Sequence, residues 1–279
     1  MTGDISPRTT SRTGIPRNHC PQNITMEPET KIIIDVADIT SRYGENVIFR
    51  NVSFQVMKGE ILVILGGSGC GKSTLLKHMF GLNKPASGKV LLDGIDVSTE
   101  NEHELARLRR HIGVLFQSGA LFGSMTLAEN VSLPLETYTD LPSDMIDRIV
   151  RMKLSLVGLA GFESYLPSEL SGGMKKRAGL ARAMALDPKV LFFDEPSAGL
   201  DPITSAGLDN LMKKINKGLG TTMVVVTHEL DSIYAIADRI VMLDKDSKSI
   251  IAIGDPRELK ESSQDPRVRN FFLRNPAGI

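Results

Sequence analysis

Residues 61–74 read ILVILGGSGCGKST. The apolar run Ile61 to Leu65 has the length of a buried strand and stops at glycine. Behind it, Gly66 to Thr74 satisfies G-x-x-x-x-G-K-[ST] in the strand-then-helix setting that separates a phosphate loop from an ordinary glycine turn. Gly66, Gly67, Gly69 and Gly71 let successive backbone N–H groups converge on phosphate oxygens, with Ser68, Cys70 and Thr74 completing the cradle. Lys72 supplies a point charge for the β- and γ-phosphates, and the Ser73 hydroxyl can ligate Mg²⁺. ATP and Mg²⁺ are the expected ligands.

Upstream, Ile32 to Val36 and Val52 to Val56 are strand-like and separated by Gly44, and a turn at Lys58-Gly59 leads into the central strand. Downstream, a helix is expected from Gly71 to about Phe80, then a turn at Pro85 to Gly88 and a short strand, Lys89 to Leu92. The interval from about Asn101 to Leu170 reads as helical over Glu102 to Arg110, Leu127 to Leu133 and Pro142 to Val157. In the last of these, Ile146, Ile149, Val150 and Leu154 share one face. Beyond it, helices Gly173 to Leu186 and Ile203 to Leu219 alternate with apolar runs Val190 to Phe193 and Met223 to Val226, the mark of a parallel sheet covered by helices. Asp201-Pro202 and Asp265-Pro266 are helix starts, with Asp capping free N–H groups and Pro placed where none is needed. The expected class is α/β: a leader over residues 1–30, a domain over 31–264 with a helical insert at about 101–172, and a carboxyl-terminal extension over 265–279.

Composition removes several alternatives. Lys+Arg and Asp+Glu balance at 33 each, so no net field draws the chain to nucleic acid. No run approaches the roughly 18 apolar residues of a membrane span, so any spanning is expected of another chain. Cys20 and Cys70 sit in unlike surroundings and do not suggest a disulfide framework, which fits a reducing compartment. Residues 1–30 are rich in Thr, Ser, Pro and Arg without the apolar block of a secretory signal. They are expected to be disordered, or to precede a true start at Met26; Arg8, Arg12 and Arg17 suggest a transit peptide, but Asp4 and the prolines oppose an amphipathic helix.

Two further strings carry chemistry. Val190 to Glu195, VLFFDE, is a buried strand ending in two carboxylates. Asp194 can hold the Mg²⁺ shell and Glu195 can orient and deprotonate an attacking water; the alternative is a cap followed by a turn at Pro196. Leu170 to Met174, LSGGM, forms a second anion cradle at a helix start, although one phosphate loop already serves the nucleotide within a subunit. With these motifs in this order from about Lys31 onward, the chain resembles the ABC ATPases. That resemblance implies a P-loop NTPase with an antiparallel β-rich first subdomain, a RecA-like parallel core and an inserted helical subdomain. It also implies a head-to-tail homodimer in which Ser171, Gly172, Gly173 and Met174 reach the γ-phosphate held by the partner. Met174 departs from the commoner glutamine of that signature.

By the same resemblance Tyr43 stacks on adenine, Gln117 senses Mg²⁺ and water, His228 contacts the γ-phosphate, and Ser197, Gly199 and Asp201 belong to a loop coupling the two sites. The alternatives from the residues alone are an aromatic at the core edge for Tyr43 and a plain surface glutamine for Gln117. The strings FQSGALF (Phe116 to Phe122) and DPITS (Asp201 to Ser205), with the methionine-ended signature, are similar to the ATPases of Mce/Mla-type lipid transporters. That similarity implies ATP hydrolysis at the cytoplasmic face of the inner membrane, coupled to a permease docked near Gln117 to Met125, with Ala120, Leu121, Phe122 and Met125 as contacts. Transport of a small polar solute is the runner-up. A DNA-repair role would need a coiled-coil insertion, and no sustained heptads lie between Gly66 and Ser171. Near the end of the chain, Val268, Phe271 and Phe272 need a surface, either on an accessory or partner subunit or on their own domain. Cys70, among converging N–H groups and beside Lys72, is expected to be a reactive thiolate, or else inert beneath the loop.

Overall fold

The computed structural model describes residues 1–3, 31–99 and 101–273. Most of the expected leader, Cys20 included, and residues 274–279 of the expected extension lie outside the described residues. The strands β1 (Ile32–Tyr43), β2 (Asn46–Met57), β4 (Ser87–Leu92) and β5 (Ile95–Asp96) form an antiparallel sheet in the order β2-β1-β4-β5. β1 and β2 run well past their apolar cores because backbone pairing carries them through polar residues. Irregular register between Val36 and Ile39 absorbs the left-handed Asp38 (φ 50°).

The second sheet has six strands in the order β10-β9-β3-β8-β7-β6, from β3 (Ile61–Gly66), β6 (Ile112–Leu115), β7 (Val190–Asp194), β8 (Thr222–Val226), β9 (Arg239–Asp244) and β10 (Ser249–Gly254). All neighbours are parallel except β10 against β9. Side-chain alternation splits the sheet between two cores. Ile61, Val63, Leu65, Leu191 and Phe193 face one, and Leu62, Ile64, Val190 and Phe192 face the other. The phosphate-loop helix α1 (Lys72–Met79) joins the second core with β1 and β2.

The expected helical interval contains α2 (Glu102–His111), α3 (Leu127–Tyr138) and α4 (Ser143–Leu156), but β6 interrupts it and belongs to the central sheet. A capping box of Thr126 and Glu129 starts α3. On α4, Ile146, Val150 and Leu154 are buried on the predicted face. They pack with Leu127 and Val131 and with Leu180 of α5 (Gly172–Ala183) in the first core. Asp201 caps α6 (Pro202–Leu219) through the N–H groups of Ile203 and Thr204. The remaining helices are α7 (Leu230–Ile236), α8 (Pro256–Ser262) and α9 (Pro266–Leu273).

The apolar residues of α9 find their surface at home. Val268 and Phe272 are buried in the first core, and Phe272 lies 6.0 Å from Tyr234 of α7, ring centre to ring centre. Arg267 fastens the helix start by donating to Asp244 on β9 (2.8 Å) and to Asp265 (2.6 Å), which holds the Asp265 carboxyl down at about 2. Burial of these side chains therefore does not require an accessory subunit.

Close packing of β6 on α5 depends on Gly113, where a Cβ would stand 2.0 Å from the Ala183 carbonyl oxygen. Since that neighbour is backbone, Gly113→Ala is expected to cost ~1–3 kcal/mol. For a chain of this size that lowers Tm by about 2–4 °C per kcal/mol, readable by scanning calorimetry.

Candidate active site

Four parallel neighbours, β3, β8, β7 and β6, end along one edge of the sheet, aligned by the pairs Ile64 with Val226, Asp194 with Val226 and Leu115 with Phe193. This is where open α/β sheets bind ligands, just outside the carboxyl ends of their strands. The segments that leave those strands carry the phosphate loop, His228, Glu195 and Gln117, so sheet register alone gathers residues far apart in sequence. A cleft of about 430 Å³ is lined by Ser68, Gly69, Gly71, Lys72, Ser73, Thr74, Gln117, Glu195 and His228, with Ile48 and Ala198. Cavity shape in the sequence-predicted loop depends on glycine: a Cβ at Gly71 (φ 99°) would stand 2.7 Å from Ile48 Cγ2, and one at Gly66 (φ 145°) 2.2 Å from Leu243 O.

Lys72 Nζ donates to Gly66 O (3.0 Å) and Gly67 O (3.2 Å). These neutral carbonyls are weaker acceptors than an anionic phosphate oxygen, so a phosphate can displace them. Ser73 Oγ donates to Asp194 Oδ1 at 2.7 Å across 121 positions of sequence. Two hard oxygens thus converge beside the loop, a donor set suited to Mg²⁺ together with substrate phosphates.

Glu195 is the strained residue of the site. It follows β7 with φ 49°, in the left-handed region that a non-glycine residue occupies only when its surroundings impose it. Its N–H donates to Val226 O (2.9 Å), while its carbonyl accepts from Ala198 N (3.2 Å). The effect is to turn the side chain toward His228, whose Nδ1 lies 3.0 Å from Oε1 and 2.9 Å from Oε2. Oε2 is itself buried, and His228 is the partner that both carboxylate oxygens share.

Tyr43 and the LSGGM residues do not line this cleft. Tyr43 is exposed at the end of β1, its hydroxyl accepting from Asn83 Nδ2 at 3.3 Å; it is no core-edge aromatic. Ser171 and Gly172 are exposed at the start of α5, where Ser171 Oγ accepts from Met174 N (3.3 Å). Gly173 instead packs inward, since a Cβ there would stand 2.5 Å from Thr204 Cγ2. In the SAGLD loop, Ser197 is buried with its hydroxyl unpartnered, Gly199 is exposed and Asp201 is engaged in capping α6. Ala198 and Ile48 were not singled out from sequence, because small and aliphatic residues carry no chemical signal of their own.

Cys70 takes the inert alternative. It is buried in the second core, and a Cβ at Gly66 would lie 2.8 Å from its Sγ. Burial pushes its thiol up, and neighbouring Lys72 only partly offsets this. The N–H groups and the ammonium favour a thiolate, but desolvation beneath the loop outweighs them. With Cys20→Ser to remove the other thiol, brief maleimide treatment at neutral pH should leave Cys70 unlabelled with or without ATP. Denaturation should restore labelling, as followed by mass spectrometry.

Residues 49–198 match the family model described as "ABC transporter". The chain belongs to the ABC transporter family. It is an ATP-binding, ATP-hydrolysing member, and among its described residues no helix is long and apolar enough to cross a membrane. This ABC ATPase is 44% identical over 240 residues to the "intermembrane phospholipid transport system ATP-binding protein MlaF" of Haemophilus influenzae, covering 86% of this chain and 90% of that one. It is 43% identical over 241 residues to the "probable ribonucleotide transport ATP-binding protein mkl" of Mycobacterium leprae, covering 86% and 69%. Among solved structures, it superposes with a TM-score of 0.72 and 31% identity on the dimeric, post-hydrolysis ATP-binding cassette MJ0796 bound to ADP and Pi, covering 80% and 98%.

Proposed function

We propose that this ABC ATPase drives phospholipid movement between membranes of the cell envelope, acting as a head-to-tail homodimer on the cytoplasmic face of the inner membrane. Support for the dimer comes from exposed Ser171 and Gly172, which are absent from the cleft of their own chain, and from the dimeric cassette it resembles. Each composite site would join the phosphate loop, Gln117, Glu195 and His228 of one protomer to residues Ser171 to Met174 of its partner, with Tyr43 stacking on adenine. Ser73, Asp194 and the Gln117 side chain would hold Mg²⁺, which neutralises charge on the β- and γ-phosphate oxygens when bound. Glu195 takes a proton from water as its oxygen forms a bond to the γ-phosphorus, the bond to the bridging oxygen breaks, and ADP leaves with the electron pair. His228 orients the Glu195 carboxylate and faces the γ-phosphate. The loop Ser197 to Asp201 would pass the state of one site to the other.

The observation that carries the lipid reading is the match to MlaF, which spans 90% of that protein. Ala120 and Phe122 are exposed, and Leu121 and Met125 half-buried, beside the Gln117 loop, where they would receive the permease. The similarity to mkl makes a polar solute the competing outcome. Purifying the ATPase with its native permease and extracting the bound molecules separates the two. Bound phospholipid, released or transferred on addition of Mg-ATP, is the expected result; a complex free of phospholipid whose ATPase responds to ribonucleotides or another polar solute would overturn the lipid assignment.

A further inference from the structure

Lys176 lies on α5, five residues after Ser171, and is 5% exposed, yet none of the described carboxylates forms an ion pair with it. Its Nζ donates to the backbone carbonyl of Gln117 and stands 3.5 Å from that of Glu195, at the outer limit of a hydrogen bond. A buried ammonium is costly unless its hydrogens are used, and here they are directed at the main chain of two active-site residues. Burial pushes its pKa down, while the nearby charges of Glu195 and Asp194 pull it back up.

The contact continues along the same face of α5. At Gly179 a Cβ would stand 2.9 Å from Gly119 O, so only glycine lets the helix approach the loop this closely. Arg182 then donates to Ala120 O (2.8 Å) and Gly119 O (3.2 Å) and lies 5.8 Å from the centre of the Phe122 ring. Residues spaced by three along a helix share a face. Lys176, Gly179 and Arg182 therefore hold the loop from Gln117 to Ala120, whose Gly119 and Ala120 both have positive φ.

We propose that Lys176 is a positioning residue that ties the signature helix α5 to the Gln117 loop and the Glu195 backbone, so that seating α5 on the partner's nucleotide aligns Gln117 and Glu195 for their own. The inference rests on the composite-site reading above and adds a physical link between the two sites of the dimer. The acceptors are carbonyls, which cannot donate, so the link requires a donor at this position. Lys176→Met keeps an unbranched apolar stem, one bond shorter, and removes the donors. Lys176→Gln restores N–H donors on a side chain one bond shorter.

Steady-state ATPase of the intact protein, with Tm measured in parallel, tests this. Lys176→Met should lower kcat about 10–100-fold, the scale of misplaced catalytic groups, with KM for ATP within about twofold, since the phosphate loop is untouched. Lys176→Gln should recover part of that loss, remaining below wild type with KM unchanged. Wild-type kcat in either variant, a rise in KM with kcat retained, or a Gln variant as impaired as the Met variant would overturn the proposal. Should Lys176→Met fail to fold, the Gln variant decides by the same kcat and KM criteria. The mixture of Lys72→Ala and Ser171→Arg proteins serves as the reference: if it recovers no turnover, the composite-site reading itself fails, whereas recovered turnover beside a fully active Lys176 variant removes only the role of Lys176.

Discussion

Glu195→Gln is expected to bind Mg-ATP as the wild-type protein does and to hydrolyse it ~10²–10⁴ times more slowly in a single turnover, the usual cost of losing a general base. The substitution keeps shape and replaces one oxygen by an amide, so the left-handed backbone at φ 49° and its bond to Val226 are expected to persist. What is lost is an acceptor basic enough to take a proton. In the folded protein the carboxylate is held against His228, whose Nδ1 sits 3.0 Å from Oε1 and 2.9 Å from Oε2 and fixes its plane. Rapid-quench hydrolysis under enzyme excess measures the step directly. A rate near wild type would assign the base to another group.

A comparable loss is expected from either end of the composite site, by different routes. Lys72→Ala removes an ammonium that lies over Gly66 O and Gly67 O and can turn to a phosphate. A hydrogen bond from a charged group contributes ~1.5–3 kcal/mol, which corresponds to about ten- to hundredfold in nucleotide affinity, and the transition-state charge it neutralises is lost as well. Ser171→Arg leaves the cleft of its own chain intact, because Ser171 does not line it. It places a bulky cation at the exposed start of α5, where the partner's γ-phosphate is proposed to sit. Each homogeneous variant should therefore be inactive, Lys72→Ala with weakened ATP binding and Ser171→Arg with ATP binding retained. Equilibrium titration with a fluorescent ATP analogue distinguishes these two kinds of failure.

Much of the site was legible in sequence because its chemistry is contiguous: the phosphate loop, VLFFDE and LSGGM each state their residues within a few positions. Helix starts at Asp201 and Ser171 were equally plain, since capping is a local interaction. Strands without a long apolar run were not. Residues 112–115, IGVL, form a short strand directly behind a helix, and only pairing with β7 makes them part of the sheet. β9 and β10 escaped as well; β10 is an edge strand whose residues are half-buried or exposed, so its pattern is weak. Lys176 was hidden for a different reason: a lysine in LSGGMKK reads as helix surface, and its burial comes from the return of the Gln117 loop over α5. Cys70 and the phenylalanines of α9 show the limit of local reasoning, because in both cases the deciding quantity was burial by residues distant in the chain.

In the proposed mechanism, hydrolysis takes place in sites shared between two copies of the chain. Mixing purified Lys72→Ala and Ser171→Arg proteins tests it most directly, because a mixed dimer joins the intact phosphate loop of one protomer to the intact signature of the other. Random exchange makes half of the dimers mixed, each with one complete site, so the mixture should recover up to about a quarter of wild-type turnover. If the mixture stays as inactive as its components while wild-type protein treated in parallel keeps its activity, the shared-site account is contradicted.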